Sequence, residues 1–162
     1  MKKLGQFLLV AVLATSFIGC KKEGCTDKEA TNYNEKAKKD DGTCKFPADV
    51  FVANYKEQTD NYVVTITKTS NKGLSISNLL DNGKVLNATV TDDKSFSISP
   101  NNTYITFYYS WGTIDVSIDN GLGTLNGNNI NVSLNFTSTQ YDNSYNLTDI
   151  YSGNESLTLI KI

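Results

Sequence analysis

From residue 47 onward, apolar and polar residues alternate with a period of two almost without interruption, as expected for strands with one buried face. In residues 129–137, Ile130, Val132, Leu134 and Phe136 fall on one side, with asparagine, serine and threonine on the other. Tyr62, Val64 and Ile66 share a face in the same way, as do Ile114, Val116 and Ile118. Turn-forming clusters separate the runs: Asn71-Lys72-Gly73, Asp81-Asn82-Gly83, Asp92-Asp93 and Asn126-Gly127-Asn128-Asn129. Pro47 and Pro100 both sit between runs, where no ladder hydrogen bond is lost. No window carries a helical stripe. The pattern predicts nine strands, near residues 50–55, 61–69, 73–79, 84–91, 95–99, 103–111, 113–124, 129–139 and 155–161. Ser138 to Asn154 reads as a long polar connection and the most mobile loop.

Short connections favour an antiparallel meander, because parallel neighbours need long crossovers. Eight or nine strands with one buried face must curl or close. Four runs carry a resemblance to a known fold: Phe51 to Tyr55, Thr65 to Lys68, Ile76 to Leu79, and Gly121 to Asn128. They resemble a lipocalin-like or calycin-like domain frequent in small Bacteroidota lipoproteins. That resemblance implies an all-β fold, an antiparallel meander closing into a barrel; a β-sandwich is the alternative. Gly121-Leu122-Gly123 leads into a hairpin rather than a helix, so it is not a nucleotide loop.

The N-terminus has a different character. Lys2 and Lys3 precede an apolar run from Phe7 to Ile18. Twelve residues reach about 18 Å as a helix, short of the ~30 Å hydrocarbon core, so the run reads as an export signal. Phe17-Ile18-Gly19-Cys20 resembles a bacterial lipobox, although phenylalanine stands where leucine is usual. The resemblance implies removal of residues 1–19 and acylation (palmitate or similar) of Cys20, with 20–23 as a lipidated tether. An ordinary cleaved signal or an uncleaved anchor are the alternatives. If Cys20 is acylated, the remaining cysteines, Cys25 and Cys44, form a pair. Outside the cytosol a disulfide is the expected state. Closing a loop of this size contributes on the order of 3 kcal/mol. Zinc is the weaker alternative, because no histidine is present to complete a ligand set.

Residues 24–46 carry Gly24-Cys25-Thr26-Asp27, then Ala30-Thr31-Asn32-Tyr33, Ala37 and Asp40-Asp41-Gly42-Thr43-Cys44. This resembles a short cysteine-bounded module of exported Bacteroidota proteins, with Glu35-Lys36 where proline or aspartate is common. Asp27, Asn32 and Asp40-Asp41-Gly42 suit Asx turns, and Tyr33 is expected to fold over the disulfide. Asp27, Asp40 and Asp41 are also calcium candidates, although their spacing is not that of an EF-hand. A plain spacer between membrane and body is the simpler expectation.

Charge narrows the partners. All 15 basic residues are lysine, against 17 acids. Residues 47–162 hold six lysines and eleven acids, which argues against a nucleic-acid surface. Without histidine or arginine the chain lacks the commonest general base and the best anion clamp. Asp115 and Asp119 share a strand side but lie roughly 13 Å apart along it, beyond the glycosidase window. An enzyme would need acids and a lysine converging in one cleft, and no motif marks one. The most aromatic segment, 103–111, places Ile105, Phe107, Tyr109 and Trp111 on one face, and Tyr104 and Tyr108 on the other. Tyr104, Tyr108, Tyr109 and Trp111 are therefore the candidate ligand contacts, for stacked sugar rings or an apolar ligand.

The expectation from sequence is a non-enzymatic, lipid-anchored envelope protein, most simply of the outer membrane, with the membrane face left open. The domains are signal 1–19, tether 20–23, module 24–46 and β body 47–162. No cofactor is required. Its role is structural or an interaction within an envelope complex; the alternative is lipocalin-like binding of a small apolar or saccharide ligand.

Overall fold

The computed structural model describes residues 22–100 and 104–162. Residues 1–19, expected from sequence to be an export signal, and Cys20 lie outside them. The chain divides into two units, one ending at Cys44 and the other spanning Lys45–Ile162.

In the first unit Cys25 and Cys44 are joined by a disulfide, with their Cα atoms 4.9 Å apart. The loop is shaped by the turn chemistry its sequence predicts. Asp27 Oδ1 accepts from the Glu29 amide at 2.9 Å. Asp41 Oδ1 accepts from the Thr43 amide at 3.0 Å. Gly42, at φ 74°, takes the left-handed conformation that lets its amide reach Asp40 Oδ1 at 2.6 Å. Asp40 Oδ2 also accepts from the Thr26 hydroxyl at 3.0 Å, tying the two ends together. Contrary to expectation, Tyr33 remains 38% exposed; the buried centre is Cys25 and Ala30. A loop this small has too little apolar surface to cover a tyrosine.

The second unit is all β apart from a 3₁₀ turn, Pro47–Val50. Its strands are β1 (Ala53–Glu57), β2 (Val63–Lys68), β3 (Gly73–Ser77), β4 (Val85–Val90), β5 (Ser95–Ile98), β6 (Ile105–Tyr109), β7 (Gly112–Asn126), β8 (Asn129–Asp142) and β9 (Leu147–Lys161). All nine expected strands are present and all pairings are antiparallel. The first strand begins later than its sequence suggests, because Pro47 starts the 3₁₀ turn that carries Phe51 into the core.

Eight strands close into a barrel, in the order β1-β2-β3-β4-β5-β7-β8-β9 and back to β1. The closed sheet excludes the sandwich alternative. It also departs from a pure meander, since β5 pairs with β7 and β6 stands outside the ring on the far half of β7. The inward face follows the predicted alternation: Tyr55, Val64, Ile66, Leu74, Ile76, Leu86, Ala88, Phe96, Ile98, Ile130, Val132, Leu134 and Leu159 are all buried. Phe51 and Phe96 meet edge to face at 5.1 Å between centroids and fill one end. The Tyr55 hydroxyl donates to the Phe51 carbonyl at 2.9 Å, so this buried aromatic keeps its polar atom satisfied.

Strand β7 changes phase along its length. Ile118 pairs with Phe136 and Asn120 with Asn135, leaving Asp119 as an extra residue. A bulge of one residue reverses alternation, so Ile114, Val116 and Ile118 before it and Gly121, Gly123 and Leu125 after it share the inner face. The glycines are required there. A Cβ on Gly121 would lie 2.6 Å from Leu134 Cδ2, and one on Gly123 would run into the Phe96 ring.

The expected polar loop, 138–154, is instead most of a hairpin. Strands β8 and β9 run on to Asp142 and start again at Leu147. The Asp142 carboxylate holds the turn, accepting from the amides of Ser144 at 2.8 Å and Asn146 at 2.9 Å. Its pKa is lowered, first by the Asn146 side chain and then by these amides. The outer halves of β7, β8 and β9, with β6, thus form a sheet projecting beyond the ring.

Substituting Gly123→Ala is expected to cost about 2 kcal/mol through overpacking against the fully buried Phe96. Urea unfolding measures it. The loss should shrink in a Phe96→Leu background; equal losses in both backgrounds would show that the glycine serves backbone geometry instead.

Candidate functional site

A cavity of about 610 Å³ opens at the end of the barrel from which the sheet projects. Its deepest wall is Ile118 and Leu134, which are buried. Val116, Phe136 and Leu157 from β7, β8 and β9 continue the apolar surface upward, and Phe107 from β6 overhangs it. Because the projecting sheet keeps the inward alternation of the ring, its inner face extends the core beyond the ring and leaves it uncovered.

Two loops build the opposite side. The β1–β2 loop contributes Asp60 and Tyr62, and the β3–β4 loop contributes Leu80 and Asp81. Both are braced by side chains. Glu57, only 2% exposed, turns its carboxylate back on the first loop and accepts from the amides of Thr59 at 2.7 Å and Asp60 at 2.6 Å. Two amide donors satisfy the charge in place of water. In the second loop Asn78 sits at φ 64°. Its side chain accepts from the Gly83 amide at 2.8 Å and donates to the Val63 carbonyl at 3.0 Å, fixing the loop to β2. The Tyr62 hydroxyl then donates to the Leu79 carbonyl at 2.7 Å, linking one loop to the other.

The electrostatics of the mouth are one-sided. Asp60, Asp81 and Glu155 line it and are exposed, and no lysine lines it among the described residues. The Tyr62 hydroxyl is pushed up to about 12, first by burial and then by the negative charges of Glu57, Asp60, Asp81 and Glu155.

The aromatic residues singled out from sequence do not line this cavity. Tyr108 belongs to a separate groove of about 280 Å³ on the outer face of the projecting sheet, with Thr106, Thr113, Asp115, Tyr141 and Tyr145. Tyr109 and Trp111 stack on each other at 4.9 Å, and Trp111 occupies the β6–β7 turn. Tyr104 is exposed. Among the described residues of that segment, 104–111, Phe107 alone lines the cavity. The cavity acids carry no local motif, since they lie on three elements far apart in sequence; Tyr62 was legible only as an inward position.

Asp115 and Asp119 lie on the outer face, where each accepts from a threonine hydroxyl: Thr106 at 2.6 Å and Thr137 at 2.9 Å. In the first unit, Cys25, Asp40 and Cys44 approach one another closely, but the two sulfurs are bonded to each other. Asp27, Asp40 and Asp41 spend their oxygens on backbone amides and hydroxyls, and those bonds hold the Asp40 pKa down, Gly42 contributing most. No family model, curated protein or solved structure matches the chain.

The raised Tyr62 pKa has a definite sign. A phenol harder to ionise in the folded state contributes stability that is complete below its unfolded value, about 10, and is lost as pH rises toward 12. Tyrosine ¹³Cζ NMR should show the Tyr62 resonance, identified by its loss in Tyr62→Phe, titrating near 12. In Asp60→Asn/Asp81→Asn its midpoint should fall. An unmoved midpoint would mean that burial and the remaining carboxylates, Glu57 and Glu155, set it without the two aspartates.

Proposed function

We propose that this chain is an exported, lipid-anchored envelope protein whose barrel binds a small, largely apolar ligand without transforming it. The observation that carries this reading is the mouth cavity. Its size, about 610 Å³, falls within the range of small-molecule sites, which are mostly apolar with a few polar groups at defined places. Its loops are held by the Glu57, Asn78 and Tyr62 bonds, so binding would not have to order them. The lining carries the carboxylates of Asp60, Asp81 and Glu155 and, among the described residues, no lysine. Anchoring rests on the lipobox-like residues 17–20, with Cys20 as the acylated residue and the outer membrane as the expected location.

In this reading the 22–44 unit is a disulfide-closed spacer, and its carboxylates serve turns rather than calcium. A second role, as an interaction module in an envelope complex, is favoured by one observation. The outer face of the projecting sheet, with the β8–β9 turn, exposes Tyr108, Tyr145, Leu147 and Ile150, apolar side chains of the kind that gather at partner surfaces.

Ligand binding is tested with the neutral fluorophore N-phenyl-1-naphthylamine. The wild-type chain should enhance its emission saturably. Val116→Trp, which fills the cavity from a half-buried position, should weaken binding by roughly tenfold or more, equivalent to ~1.4 kcal/mol. Unchanged binding by a folded variant would place the probe elsewhere. Anchoring is tested by intact mass of protein from its native membrane. Loss of residues 1–19 together with an acyl increment, abolished by Cys20→Ala, is the expected result. An unmodified Cys20 would overturn the anchor.

A further inference from the structure

We infer that the mouth cavity selects a cationic amphiphile, with the hydrocarbon body on its apolar wall and an amine or quaternary ammonium among Asp60, Asp81 and Glu155. The inference rests on the reading of this cavity as a ligand site and goes beyond it by assigning the ligand's charge.

The cavity is graded from floor to rim. Ile118 and Leu134 at the floor are 2% and 0% exposed, whereas Asp60, Asp81 and Glu155 are all exposed. A ligand seated against the floor therefore brings its outer end to the acids. Those acids come from three separate elements: the β1–β2 loop, the β3–β4 loop and β9. They are brought together at the cavity by the fold and are not a run of like residues along one strand.

The negative charge is uncompensated locally. The ion pairs among the described residues are Lys39–Glu23 and Lys68–Asp49, and neither involves a cavity acid. Lys84 closes the same loop as Asp81, yet it neither lines the cavity nor pairs with that acid. The buried Glu57 adds a fourth carboxylate behind Tyr62. The upward shift of the Tyr62 hydroxyl, to which all four acids contribute after burial, reports the same negative field inside the mouth. The rings of Tyr62, Phe107 and Phe136 in the lining also offer faces to a cation. An anionic amphiphile of the same length would meet like charge from all three acids, and a neutral one would gain only from the wall.

The experiment displaces N-phenyl-1-naphthylamine from the mature chain with three competitors of equal chain length: decyltrimethylammonium, decanol and decanoate, each below its micelle concentration. The expected result is that the ammonium displaces the fluorophore at roughly a tenth of the decanol concentration, with decanoate weakest. High salt should narrow the gap between ammonium and decanol. In Asp60→Asn/Asp81→Asn/Glu155→Gln, all at exposed positions, the ammonium should fall to the level of decanol while decanol itself is unchanged. If decanol and decanoate compete as well as the ammonium, charge selection is overturned and the cavity reading stands. If the triple variant keeps the ammonium preference, the acids are not its source and the inference fails. If the fluorophore does not bind the wild-type chain at all, the cavity reading fails and the inference falls with it.

Discussion

The second unit depends on one extra residue. Asp119 bulges from β7 and lets a single strand serve two structures with the same face turned inward. Before the bulge, Ile114, Val116 and Ile118 line the projecting sheet; after it, Gly121 and Gly123 line the closed ring. Without the phase change one of these halves would present its inner set to solvent. The bulge is itself supported, because the Asp119 carboxylate accepts from the Thr137 hydroxyl on β8 at 2.9 Å. Ring closure then requires β7 to approach β5 closely, and Gly123 opposite Phe96 allows it. A side chain at that position would compete with Phe96 for the volume that also holds Phe51.

The difference in strand length gives the barrel two unlike ends. At one end Phe51, Phe96 and the 3₁₀ turn fill the interior. At the other, β7, β8 and β9, at 14 or 15 residues each, outrun β1 to β5, which have four to six. The long strands keep their inward alternation with no opposite wall to face. Short braced loops cover part of that surface, and the rest is the cavity. The cavity is thus a by-product of unequal strand length in a sheet that must still close. Its charge comes from Asp60 and Asp81 on two loops, which are free to carry acids because they lie outside the core, and from the exposed Glu155 on β9.

The first unit solves its stability problem differently. It is too small for a core, so a covalent bridge and side-chain-to-backbone bonds do the work that packing does in the barrel. Each of its three aspartates, Asp27, Asp40 and Asp41, accepts from the backbone amide two residues on. That density of local bonds accounts for the aspartates of its sequence.

Several features followed from sequence alone because their causes are local. Period-two alternation placed all nine strands, the last in its final half, and the inward residues at 62–66, 114–118 and 130–136, since a pleated strand sends successive side chains to opposite faces. The Asx turns at Asp27, Asp40 and Asp41 were legible because a short side chain readily bonds the backbone two residues on, and the Cys25–Cys44 pair followed once Cys20 was set aside as the expected acylation site. Residues 138–154 were misread as a loop because their polar outward positions dilute the pattern, while the pairing that makes them strands comes from β8 and β9 together. The tertiary structure alone decided that β5 would skip β6 to pair with β7, that Asp119 would bulge, and that Asp60, Asp81 and Glu155 would meet at one mouth. Each of these depends on register between segments distant in the chain, and a single strand's sequence carries no record of which partner will fix its register.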